Sequence, residues 1–280
     1  MSADTPDSPI KLGLLFLGRK RPGFDMEWGA AMELKVREAV NQSAFEVFEP
    51  SEKAVDDASL RKVVGECKEA GVQALVLLQT TMADGRMAPT LAQIWPDPPI
   101  FWATPENQNG DMISSCSLVG AHVWATSLRQ MGRSFEILKG DPEVEETLEK
   151  LDTSVRITGI IHKLRHTRVG VIGGQAPGFL SMTTDPFFMH RGLGVQLQTY
   201  SLIEFENVVK ELPEEAVNAD VEKAKALGLE YKDASEDDLP MASRLYLAMC
   251  HFIETENLDA LGVRCWPEMP NTFGQWPYLG

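Results

Sequence analysis

Arg264, Cys265, Trp266 and Glu268 crowd the end of an apolar run, Asp259-Ala-Leu-Gly-Val263. The run reads as a buried strand, and the C-terminal end of a strand is where an open α/β sheet usually places its ligand. Glu268 could serve as a general base or as an oxygen ligand for a hard divalent cation. A loop carboxylate paired with an arginine explains it equally well. Cys265, beside Arg264, could be an activated thiolate, but a small buried filler is the preferred reading.

Other candidates also follow strands. Gln79-Thr-Thr81 and Gly18-Arg-Lys-Arg21 each succeed an apolar run, and Pro105-Glu-Asn-Gln-Asn-Gly-Asp111 succeeds Phe101-Trp-Ala103. Amides beside a carboxylate can donate and accept side by side, which suits a polyhydroxylated ligand. The alternative is a plain polar turn, with Asp111 or Ser114 capping the helix that follows. The segment Val169 to Phe179 resembles a dinucleotide fingerprint but fails its spacing: the glycines fall at 170, 173, 174 and 178, and Pro177 stands where amides should meet phosphate. It is either a tight turn needing positive φ or a turn that also lines a small polar ligand. NAD and ATP are not expected. His162 and His166 share a helical face, yet with Lys163, Arg165 and Arg168 they complement the negative end of a helix dipole better than they make a metal site. His122 and His251 read as core-edge residues of amphipathic helices.

The elements that must position these groups alternate. Strands are expected at Lys11–Leu17, Phe45–Phe48, Val72–Leu78, Pro99–Thr104 and Ser134–Leu138. Helices fall between them at Asp25–Asn41, Ala58–Ala70, Ala88–Trp95 and Ser114–Met131. In the first helix, Met26, Ala30, Leu34 and Ala39 or Val40 recur at helical spacing. A long helix, Glu143–Leu164, leads to a second series: strands Arg168–Ile172, Val195–Tyr200 and Ala260–Arg264, with helices near Glu204–Leu212, Glu214–Leu227 and Pro240–Thr255. This rhythm predicts an α/β fold of two Rossmann-like, doubly wound parallel-sheet units in tandem, residues 1–165 and 166–280, the second incomplete at its C-terminus. The helix carrying Cys67 and the helix carrying Cys250 each feed a core strand through a short turn and an Ala-Leu pair, which supports duplication. Asp233 to Pro240 reads as a solvated acidic loop capping the next helix.

The bulk numbers narrow the class. The 280 residues are 44% apolar and 24% charged, ordinary values for a soluble globular protein, and the formal net charge is −15. Such a surface disfavours nucleic acid and anionic lipid. No secretory signal and no apolar run long enough to span a bilayer is present, and four scattered cysteines read as reduced thiols. The expected compartment is the cytoplasm.

Three segments together bring a family into view: the Pro105-Glu106 loop leading to Ser117-Leu-Val-Gly-Ala121, the Val169–Phe179 turn, and Arg264-Cys-Trp-Pro-Glu268. The chain resembles the N-terminal portion of the L-fucose isomerase and L-arabinose isomerase superfamily. The resemblance implies two Rossmann-like domains followed by a β-rich domain that lies outside this chain. It implies aldose–ketose isomerisation assisted by a divalent metal, usually manganese (Mn2+), in a homo-oligomer. A base carries the proton between adjacent carbons while a Lewis acid holds both oxygens. On this likeness the metal-binding and proton-moving residues fall beyond Gly280, leaving no catalytic or metal-ligating residue here. Arg264, Trp266 and Glu268 would line the sugar pocket, with Arg19, Gln79 and Glu106 as further contacts. Two alternatives remain: a non-catalytic sugar-binding or regulatory module, and a cofactor-independent racemase using Cys116 and Cys265 as its acid/base pair.

Overall fold

The computed structural model describes residues 9–19, 23–228 and 235–276. Lys20 and Arg21 of the basic turn, Asp233 and Ala234 of the acidic loop, and the last four residues lie outside these ranges. The chain divides into two compact units, Met1–Lys163 and Leu164–Gly280.

In the first unit, β1 (Lys11–Leu17), β2 (Glu46–Phe48), β3 (Ala74–Gln79), β4 (Ile100–Ala103) and β5 (Glu136–Lys139) form one parallel sheet in the order β2-β1-β3-β4-β5. β1 and β3 are apolar almost throughout and buried on both faces, as central parallel strands must be. The two-residue period divides their side chains between two cores. Leu15, Leu17, Leu75, Leu77 and Phe101 pack with Trp124 on one face, where Phe101 and Trp124 meet edge-on at 6.1 Å. Leu12, Leu14, Phe16, Val76, Leu78 and Trp102 pack with Val36, Val40 and Val155 on the other.

The helices of this unit are α1 (Met26–Asn41), α2 (Asp57–Glu69), α3 (Ala88–Ile94) and α4 (Ser117–Gln130), and α5 (Glu145–His166) runs past its boundary. α1 is rotated from the expected stripe. Its buried residues include Gly29, Met32, Val36 and Val40, whereas Met26 and Leu34 are exposed. Gly29 explains the choice: a Cβ there would lie 2.7 Å from the Thr80 carbonyl oxygen. The helix can seat itself close to the end of β3 only on its glycine face.

In the second unit, β6 (Arg168–Ile172), β7 (Gln196–Tyr200) and β8 (Ala260–Val263) form a parallel sheet in the order β7-β6-β8. This matches β2-β1-β3 of the first unit, so both units begin with the same winding. The helices that feed the third strand of each also end alike. α2 is followed by Gly71 at φ 74°, and α9 (Leu239–Glu256) by Asn257 at φ 51°, both left-handed stops. The tandem Rossmann-like reading holds.

The second unit also contains α6 (Pro186–Leu193), α7 (Leu202–Glu211), α8 (Glu214–Ala226) and α10 (Glu268–Phe273). Two expectations change here. β8 is an edge strand with Ala260 and Gly262 exposed, so it is not buried on both faces. The segment after it is not a loop: Met269 is fully buried and Phe273 meets Phe205 at 6.2 Å, so a short helix docks on the core formed by Ile172, Phe205, Leu245 and Phe252. His122 and His251 are exposed rather than core-edge, because each points from the outer side of its helix. His162 Nδ1 lies 2.7 Å from a carboxylate oxygen of Asp97, which is only 2% exposed, so this histidine is tied to a buried carboxylate as well as standing near a helix end.

Candidate functional site

The first unit places its candidates at the C-terminal ends of β1 and β3. These strands are neighbours whose connections leave toward opposite sides of the sheet, so a crevice opens between their ends. Leu17 pairs with Gln79 as the last register position, and Gly18, Arg19, Thr80 and Thr81 follow. Arg19 and Thr81 are tied twice: the Arg19 amide donates to Thr81 Oγ1 at 2.8 Å, and that hydroxyl donates to the Arg19 carbonyl at 2.8 Å. The Arg19 guanidinium extends to Asp84 at 2.7 Å. Asp84 also accepts from Arg86, and these hydrogen bonds hold its carboxyl well below the usual range. Arg19, Asp84, Arg86 and Met87 share a cleft of 440 Å³ with Val55, Asp56 and Asp57.

Gln79 points inward and is only 2% exposed. Its Oε1 accepts from the Ala83 amide at 2.8 Å, while its buried Nε2 has no partner among the described residues. Gly120 of α4 makes room for it, since a Cβ there would lie 1.9 Å from Gln79 Oε1. Gln79 is therefore a buried side chain packed between the end of β3 and α4.

Glu106 caps α4, a role the sequence reading gave to Asp111 or Ser114. Its carboxylate accepts from the amides of Ser115 at 2.8 Å, Cys116 at 3.1 Å and Ser117 at 2.8 Å, and from the hydroxyls of Ser114 and Ser115. Burial raises its pKa, but the donors from Ser114 to Ser117 outweigh that and the net direction is down. Capping falls to a carboxylate ten residues away because Cys116, at φ 50°, turns the chain so that successive amides face one point.

The second unit gathers the other candidates at the ends of β6, β7 and β8. Gly173 and Gly174, Tyr200, Ser201, Leu202, Glu204 and Arg264 surround a cleft of 610 Å³. Gly173 stands at φ 82°, and a Cβ would lie 2.9 Å from Leu202 and 3.2 Å from Arg264 Cβ. The glycine thus serves both backbone conformation and close approach. Arg264 donates to the Gln175 carbonyl at 3.0 Å and to Glu268 at 2.8 Å. Glu268 is the arginine-paired carboxylate, carried on the first turn of α10. Trp266 is 47% exposed, and Cys265 packs against the core of the unit.

Two of the thiols, Cys67 and Cys116, are weakened as nucleophiles. Burial pushes Cys67 up to about 12, and burial followed by the Glu106 charge pushes Cys116 up. Among the described residues, no group of three or more His, Cys, Asp or Glu side chains could hold a metal ion. The described residues therefore do not offer the ligand set of a divalent-metal centre. No helix among them is long and apolar enough to cross a membrane.

Sequence reasoning missed Asp84 and Arg86, although the Asp-Gly-Arg triplet after Gln79-Thr-Thr81 was visible. It also missed the Ser201–Glu204 capping box at the rim of the second cleft, whose Ser-x-x-Glu pattern was legible.

No family model matches the chain. Curated relatives do. It is 27% identical over 264 residues, 93% of its length, to a sulfoquinovose isomerase of Priestia megaterium, covering 58% of that protein. It is 30% identical over 203 residues, 72% of its length, to a sulfoquinovose isomerase of Alkalicoccus urumqiensis, covering 45% of it. A similar protein of Clostridium sp. with the same name is 27% identical over 207 residues. The chain spans about half the length of the curated relatives it matches.

Proposed function

We propose that this chain supplies the sugar-binding, two-unit portion of an aldose–ketose isomerase acting on sulfoquinovose or a closely similar sugar. The observation that carries the reading is the 27% identity to a sulfoquinovose isomerase across 93% of the chain. Two strand-end clefts suited to a small polar ligand stand beside it.

In this reading Trp266 contacts the sugar in the second unit, its exposed indole offering an apolar face to the ring, and Arg264, held by Glu268 and the Gln175 carbonyl, lines the same strand end. Glu268 orients Arg264. The first unit offers a separate cleft of its own, where Arg19 would meet a ligand, with Gln79 buried behind the strand end and Glu106 holding the loop before α4. A divalent ion such as manganese would be held by residues this chain does not contain, as would the base that moves the proton. The active protein is proposed as a cytoplasmic homo-oligomer.

Two measurements test this. The 280-residue chain should bind sulfoquinovose in a calorimetric or NMR titration and produce no ketose with manganese present. Turnover by the isolated chain would overturn the assignment of catalysis to residues outside it, and failure to bind any sugar would overturn the assignment as a whole.

A further inference from the structure

A sulfonated sugar presents a permanent anion with three acceptor oxygens, and this chain carries net charge −15. Recognition therefore needs guanidinium groups with unspent donors. At the strand ends the structure offers Arg264 in the second unit and Arg19 with Arg86 in the first. Arg264 is only 18% exposed; its Nη groups already serve the Gln175 carbonyl and Glu268, and its one donor nitrogen without a partner among the described residues, Nε, is buried. Arg19 and Arg86 differ. Both lean on the single carboxylate of Asp84, at 2.7 and 2.6 Å, so the trio keeps one positive charge in surplus.

Their donors are also unspent. Arg19 places Nη1 on Asp84, and Arg86 places Nε and Nη2 there. Arg19 Nε and Nη2 and Arg86 Nη1 have no partner among the described residues. The acidic groups on the same cleft are committed. Asp56 caps α2 by accepting from the Ser59 amide and hydroxyl, and Asp57 accepts from Arg61 at 2.9 Å and from the Thr90 hydroxyl. Asp57 and Arg61 cancel, and the positive end of the α2 dipole offsets part of Asp56. Among the described residues that line the cleft, Arg19 and Arg86 are the cationic donors.

Resting on the sugar-isomerase reading above, we infer that Arg19 and Arg86, braced by Asp84, form the subsite that takes the sulfonate of the substrate. This assigns Arg86 a specificity role and explains why one aspartate holds two arginines. Asp84 fixes both forks while leaving their outer edges for an anion.

The test measures the affinities of the full chain for sulfoquinovose, glucose 6-phosphate and glucose, following arginine Nε–Hε resonances in 1H–15N spectra. Arg86 is 83% exposed, so Arg86→Gln should fold normally. The expected result is a fall of about tenfold in the sulfoquinovose-to-glucose affinity ratio for Arg86→Gln, and a larger fall when Arg19→Gln is added. Sulfoquinovose, but not glucose, should shift the two resonances and bind less tightly at high salt. An unchanged ratio in both variants, with wild-type binding intact, overturns the subsite and leaves the isomerase reading standing. Tighter binding of glucose 6-phosphate than of sulfoquinovose overturns the assignment to a sulfonate. Absence of binding by any of the three sugars overturns both proposals.

Discussion

Replacing Glu106 tests how one carboxylate organises the loop before α4. In the native chain it accepts three backbone amides, from Ser115, Cys116 and Ser117, and two serine hydroxyls. Hydrogen bonds to a charged group contribute roughly 1.5–3 kcal/mol each. The loop is partly solvated, so water replaces some of what is lost; about 1 kcal/mol per amide is a fair discount, and Glu106→Ala should cost about 3 kcal/mol in total. For a unit of this size that corresponds to a fall of about 6–12 °C in Tm. Glu106→Gln should lie between, since it keeps one acceptor but sets an NH2 group against the amides. The pH dependence gives an independent check. The folded pKa lies below its ordinary 4.5, so the contribution is full above that value and is lost as pH falls through the folded pKa. Thermal unfolding of wild type and variant at pH 7 and 3.5, with hydrogen exchange at Ser115 to Ser117, measures both effects. A Tm change under about 2 °C at pH 7, or a difference that does not narrow toward pH 3.5, would refute the reasoning.

Two further substitutions probe the same region. Cys116 sits at φ 50°, a conformation that costs an L-residue about 1–2 kcal/mol. Cys116→Gly should therefore raise stability by about 0.5–1 kcal/mol after the entropy of glycine is counted, and a loss in denaturant titration would contradict the strain. Gly120→Ala would set a Cβ 1.9 Å from Gln79 Oε1 and displace it from the Ala83 amide. The cost should be about 1–3 kcal/mol and smaller in a Gln79→Ala background; equal costs in both backgrounds would rule out the clash.

Much of the architecture follows from local pattern. A continuous apolar run marked β1 as a strand buried on both faces, a second marked β3 as a strand, and Gly71 marked the end of α2. The likeness between the Cys67 and Cys250 segments pointed to two similar units, and their sheets share the β2-β1-β3 and β7-β6-β8 windings. Periodicity failed where a neighbour decides the outcome. α1 carries apolar residues on more than one face, and the close approach at Thr80 chooses the Gly29 face over Met26 and Leu34. The segment after Pro267 has the composition of a loop, yet Met269 and Phe273 fold it into α10 because a core is available to receive them.

The candidate site divides in the same way. Residue types alone placed Arg264, Trp266 and Glu268 at a strand end, because the end of an apolar run is visible in any sequence. Which carboxylate meets which basic group is not visible. Arg19 and Asp84 are 65 positions apart, and so are Asp97 and His162. Glu106 looked like one more polar residue in a turn until the backbone of Ser114 to Ser117 closed around it. The sequence by itself determined the elements, their alternation and the strand ends where chemistry could gather, because those depend on local period and on turn residues. Only the tertiary structure decided the ion pairs, the cap and the face each helix buries, because those energies arise between groups that the chain brings together last.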